Sequence, residues 1–231
     1  VTVSTAAALS LAMAVPGSAA YQPEQKFQDV SRSASYYEDV MDANYYGLMA
    51  GVSGKTFDTE STITRAMWVT MLYKMAGQPA VQSKDTFTDV KTGDWFAQAA
   101  TWAVEQGITA GYEDGSFGVN QTITRQEMAV ALARYARFQG AQPGAFDLTS
   151  YSDHGSIAAW AREDVAACSA LGLLTGSNGT FRPNDTTTRA MGAEVFQRLS
   201  AYPFPGAGEE ENGGEDLPAD PDAPVEPVPP R

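Results

Sequence analysis

At 231 residues and 43% hydrophobic, the chain has enough apolar content for a core, and its single cysteine, Cys168, rules out an internal disulfide. The formal net charge of −13 argues against nucleic acid as a partner. Much of that charge lies in residues 205–231, with eight acidic residues against one basic, so the body is only mildly acidic.

Residues 1–20 run "VTVSTAAALSLAMAVPGSAA". An apolar centre is followed by small residues, with Ser18 and Ala20 spaced like a signal-peptidase site, although no positive segment precedes it. We read a partial secretory signal; a short buried helix is the alternative. The run is too short to span a membrane.

The body repeats itself. "ITRAM" at residues 63–67 returns as "ITRQE" at 123–127 and "TTRAM" at 187–191, at spacings of 60 and 64. Periods of this kind mark repeat architecture. Three units follow, at 27–77, 87–138 and 151–201. Each opens on "FQDV", "FTDV" or "YSDH". A helical stretch is predicted next, over 34–48, 94–106 and 157–171, with Trp95, Ala99, Trp102 and Ala103 near helical spacing in the second unit. It ends in "GLMAG", "GITAG" or "GLLTG", where the first glycine suits the left-handed residue beyond a helix C-terminus. A Gly-containing turn and a Phe follow (Phe57, Phe117, Phe181), predicting a short extended piece or tiny hairpin.

Thr64, Thr124 and Thr188 then start a second helix as N-caps, with Glu127 completing a capping box on Thr124. The stripe Trp68, Met71, Leu72, Met75 and its counterparts make a core-facing face. Each unit is too small to bury its apolar faces alone. The fold class is therefore mainly all-α: three helix-turn-helix repeats packed as one pseudo-threefold bundle, with short extended turns. Residues 205–231 are acidic and rich in Pro and Gly, and read as a linker or tail.

Arg65, Arg125 and Arg189 follow the caps directly, so each lies in a first helical turn. Free backbone N–H groups and the positive dipole end already favour an anion there. A cation in that place needs a reason, and a forked guanidinium that grips a carboxylate supplies one. The competing reading is an intramolecular ion pair, for example with an Asp of the next opening. A grip would leave the arginines expendable for folding. Asp29, Asp89 and Asp153 are expected to cap the helix or turn they precede. Trp95 and Trp160 face either a sugar ring or the core. Cys168 reads as a small buried hydrophobe, His154 as a solvated loop residue, and Asp114 lacks the ligand series of a calcium loop.

The opening F-x-D-V in two units (Y-S-D-H in the third), with G-x-x-x-G, the turn Phe and the Thr-Arg pair in all three over about 27–199, resembles the S-layer homology (SLH) domain family. The likeness implies a noncovalent wall-binding module without catalysis, cofactor or metal, on the surface of a Gram-positive-type bacterium. Its partner would be a secondary cell-wall polysaccharide or a polymer linked to peptidoglycan, commonly pyruvylated, held in grooves between repeats. The resemblance assigns that contact to Arg65, Arg125, Arg189, Thr64, Thr124, Thr188, Trp95 and Trp160, with each arginine facing a carboxylate. The sequence departs from the family motif at Met67 and Met191, which stand for Glu, and at Ser35, which stands for Trp. Copy one is thus expected to be the weakest, with a degraded groove. The alternatives are a self-associating surface-layer protein and, less so, a wall-degrading enzyme. Against the latter, only the opening Asp recurs in all three copies, and no nucleophile–His arrangement is present.

Overall fold

A computed structural model of the chain describes residues 26–205. The secretory signal expected over 1–20 and the linker or tail expected beyond 205 lie outside the described residues. Six α-helices carry the fold: α1 Tyr37–Tyr45, α2 Arg65–Met75, α3 Ala97–Glu105, α4 Arg125–Phe138, α5 Arg162–Ala170 and α6 Arg189–Ser200. Among the described residues there is no strand, only isolated bridges, so the all-α reading holds. Three short 3-10 turns precede α5, at Leu148–Ser150, His154–Ser156 and Ala159–Ala161.

The first helix of each unit is shorter than its periodicity predicts. Residues 31–36 close tight turns instead, with Ala34 N–H donating to the Ser31 carbonyl and Tyr37 N–H to Ala34. No side chain caps α1, α3 or α5. At their far ends Gly47, Gly107 and Gly172 take φ of +67°, +68° and +70°, the left-handed stop that glycine adopts without strain. The second glycine of each G-x-x-x-G has another task. A Cβ on Gly51, Gly111 or Gly176 would run into the ring of Phe27, Phe87 or Tyr151, so glycine lets the opening aromatic tuck beneath the turn. The tiny hairpin is present as a bridge in two units, Ser53 with Thr56 and Ser177 with Thr180.

The second helices start as predicted. The Thr64, Thr124 and Thr188 hydroxyls accept from the N–H of Met67, Glu127 and Met191. Glu127 completes its box, and in the third unit the Met191 sulfur lies 3.5 Å from the cap N–H as a weaker acceptor.

The three units meet at a ring of main chain. Ile63 N–H donates to the Thr187 carbonyl (2.9 Å), Thr187 N–H to Ile123 (3.3 Å), and Ile123 N–H back to Ile63 (3.0 Å). Thr64 bridges Thr122, Thr124 bridges Thr186, and Thr62 bridges Thr188. The helices follow the same cycle: α2 packs on α3, α4 on α5, and α6 on α1. Ile63, Trp68, Leu72, Met128, Leu132 and Phe196 are buried in one continuous core. Units that share a core and close on each other form one body with pseudo-threefold symmetry.

Candidate ligand-binding grooves

The Thr-Arg pairs sit where the units join. Arg189 of the third unit reaches into the first: Nε donates to the Phe57 carbonyl (2.9 Å) and Nη2 to Ala50 (2.6 Å). Arg65 does the same in the second unit, to Phe117 (2.9 Å) and Ala110 (2.8 Å), and Arg125 in the third, to Phe181 (2.8 Å) and Thr175 (2.9 Å). Each guanidinium also lies over the ring of that Phe, at 4.4 Å for Arg189 and 5.1 Å for the other two. The Phe packs on its other flank against the opening aromatic of its unit, as in Phe27–Phe57 at 5.2 Å. Two charge-assisted bonds and a cation–π contact make each arginine a clasp between neighbours.

This corrects the expectation that the arginines are expendable for folding. Arg65, Arg125 and Arg189 are only 4–6% exposed. Burial lowers the pKa of Arg125 and Arg189, and the carbonyls compensate for the lost water. Among the described residues no opening Asp comes within 4 Å of these arginines, although Asp29 and Asp58 act on Arg189, and Asp153 on Arg125, through space. Arg65 instead has Glu127 beside Nη1 at 3.4 Å, with the Tyr112 hydroxyl donating to the same carboxylate oxygen at 3.0 Å. Among the described residues, Nη1 of Arg125 and of Arg189 has no hydrogen-bond partner, so one arm of each fork remains uncommitted.

The opening aspartates also act at longer range than expected. Asp29 accepts from Phe57 and Asp58 N–H, Asp89 from Phe117, Gly118 and Val119, and Asp153 from Phe181 and Arg182. They fasten the turn that precedes the Thr-capped helix, not the element next to them. Burial alone would raise these carboxyls, but the backbone donors outweigh it and hold all three below the usual range.

Beside Arg189 opens a groove of about 460 Å³. One wall is the first unit's G-x-x-x-G turn, residues 48–52, and the other is the α2 face bearing Met67, Thr70 and Lys74. Trp95, from the second unit, stands at the rim with 64% of its surface exposed. All three units thus contribute to one groove. Trp160, at the position equivalent to Trp95, is 57% exposed, so neither Trp belongs to the core. The three cap threonines are not among the residues lining this groove; their hydroxyls serve the helix starts. His154 is half-buried, its Nδ1 2.9 Å from the Tyr151 carbonyl. Cys168 is fully buried as expected, which pushes its thiol up to about 12.

Lys74 escaped the sequence reading. Its Nζ donates to the Gly47 carbonyl at 2.6 Å, and burial lowers its pKa. The signal was available: a cation stands ten residues after the cap Thr in every unit, as Lys74, Arg134 and Arg198. The carbonyls that hold the arginines carry no such signal, because any residue type offers a carbonyl.

The S-layer homology domain profile matches residues 26–66, 86–129 and 150–190, together more than half of the chain. An amylopullulanase of Thermoanaerobacterium thermosulfurigenes is 31% identical over 78% of this chain, which covers 10% of that protein. The cellulosome-anchoring protein of Acetivibrio thermocellus is 29% identical over 80% of the chain, covering 41% of that protein. The surface-layer 125 kDa protein of Lysinibacillus sphaericus is 28% identical over 84%, covering 16% of it. The chain therefore spans less than half the length of each of these relatives. The residues matched by the profile hold all three Thr-Arg clasps and both exposed tryptophans, and by that match this chain belongs to the S-layer homology domain family.

Proposed function

We propose that the chain is a noncovalent cell-wall anchoring module that binds an acidic secondary cell-wall polysaccharide, of the pyruvylated kind, without turning it over. The observation that supports this best is the groove beside Arg189. It offers an uncommitted guanidinium arm, a lysine, and an exposed indole on which a sugar ring can stack. Arg189 and Lys74 would face the carboxylate and Trp95 the pyranose. A cation pair in a concave apolar setting favours an anion more than an exposed patch does, because water screens it less.

Membership in the family, and relatives whose names speak of anchoring and of surface layers, support a place at the cell surface. The relatives named as enzymes align with this chain over a small share of their length, which supports binding rather than catalysis here. Among the described residues no helix is long and apolar enough to cross a membrane.

Co-sedimentation with purified wall sacculi tests the proposal. The protein should pellet with native sacculi and stay in solution once acid has removed the secondary polymer. Equal pelleting with both would point to peptidoglycan itself. Pelleting without any sacculi would favour self-association into a surface layer.

A further inference from the structure

The repeat carries the position of the groove beside Arg189 to the joints at Arg65 and Arg125, yet the residues that fall there differ in charge. In the groove beside Arg189, the residues lining it include two cations, Arg189 and Lys74, and no carboxylate. That is a notable exclusion in a chain of net charge −13. Three lining positions account for it: Met67, Thr70 and Gln98.

The alignment of the repeats carries these positions to the other two grooves. In the groove of Arg65 they become Glu127, Val130 and Glu163. In the groove of Arg125 they become Met191, Glu194 and Glu38. Each of those grooves therefore holds two glutamates where the first holds none. The glutamates also engage the local cations. Glu127 approaches Arg65 Nη1 at 3.4 Å, and Glu194 approaches Arg198, the counterpart of Lys74, at 3.8 Å. Arg134, the remaining counterpart, is committed to Asp164 at 2.8 Å. The groove of Arg125 further lacks the indole, with Ser35 at the place of Trp95 and Trp160.

Building on the reading under Proposed function, we infer that only one of the three grooves, the one of Arg189, Lys74 and Trp95, takes an anionic sugar, so that the chain holds one such residue at a time. The other two carry their own glutamates, which offset the cations of those grooves (Glu127 on Arg65, Glu194 on Arg198) and repel a second anion. This reverses the expectation that copy one has the degraded groove: its turn and its α2 supply both walls of the open one.

Calorimetry of the full chain with soluble fragments of the pyruvylated wall polymer, each bearing one ketal, at low and moderate salt, tests this. We expect a stoichiometry near one. Lys74→Glu should abolish saturable binding, and Gln98→Glu, which writes the other grooves' glutamate into this one, should weaken it about five- to tenfold. Gln98 lies away from the clasps, so its variant should melt like wild type; Lys74→Glu also loses the exposed bond to the Gly47 carbonyl and should melt slightly lower while still unfolding in one sharp transition. A stoichiometry of two or three, or a Lys74→Glu variant that keeps saturable sites, would overturn the single-groove inference while leaving wall binding intact. No binding by the wild type would overturn both.

Discussion

At the residue scale the arginine clasps tie each unit to the next. Replacing Arg189 with Ala removes two charge-assisted bonds and leaves the buried Phe57 carbonyl without its donor. The expected cost is about 2–4 kcal/mol, which lowers the melting temperature by about 5–12 °C. Lys should restore part of it, since it keeps the charge but cannot serve both carbonyls. Calorimetric melts check this; an unchanged Arg189→Ala midpoint would mean that the clasp is not structural. The recurrence of Thr-Arg is plain in the sequence, and the helix start it implies is correct. The role of the arginine is not, because its partners lie far along the chain: 52 residues separate Arg65 from Phe117, and 132 separate Arg189 from Phe57. Local logic sees a cation at the wrong end of its own helix dipole. Only the packed neighbour explains it.

At the scale of elements the three joints differ in their charge. The α6–α1 joint sets Asp39 near Glu194, Arg198, Asp42 and Glu38, while Asp42 accepts from Gln197 Nε2 at 2.7 Å. Burial, with Glu194 adding to it, pushes the Asp39 carboxyl up to about 6. A carboxyl whose folded pKa exceeds its unfolded value favours the fold in its protonated form. Its contribution is full below about pH 4 and is lost as pH rises through about 6. Asp39→Asn should thus flatten the pH dependence of the melt between pH 5 and 7. At pH 7 it should raise the midpoint by about 2–4 °C, or about 1 kcal/mol after allowing for solvent screening. Scanning calorimetry of both proteins at the two pH values decides it; parallel pH profiles would sink the idea. Periodicity located all six helices but overran the ends of α1, α3 and α5. Turns that hydrogen-bond to their own backbone, as at 31–36, have no apolar period to betray them.

At the scale of the whole molecule the repeats make a ring rather than a row. A row of repeats loses one unit and keeps the rest, because each touches only its neighbours. Here removal of residues 146–205 would strip α4 of α5, α1 of α6, and Arg125 of both its carbonyls. We expect such a two-unit chain to lose its cooperative melt altogether, with fast amide exchange in α1 and α4; a sharp transition would refute the ring as the cooperative unit. That three units pack together was legible from the stripe and the period. So was their arrangement about one pseudo-threefold axis; the contacts that close it were not, because the α6–α1 joint and the Ile63, Ile123, Thr187 cycle join residues with no sequence signal beyond the repeat itself.

The main-chain cycle at the axis has a further consequence. A closed circuit has no first member, and the covalent chain merely crosses two of its three seams, α2 to α3 and α4 to α5, leaving the third uncrossed. The shape of the ring therefore does not depend on which of its seams the covalent chain leaves uncrossed. Splicing Ser200 to Phe27 through a tether as long as residues 76–86, and opening the chain within those residues, would move the seam without altering any clasp.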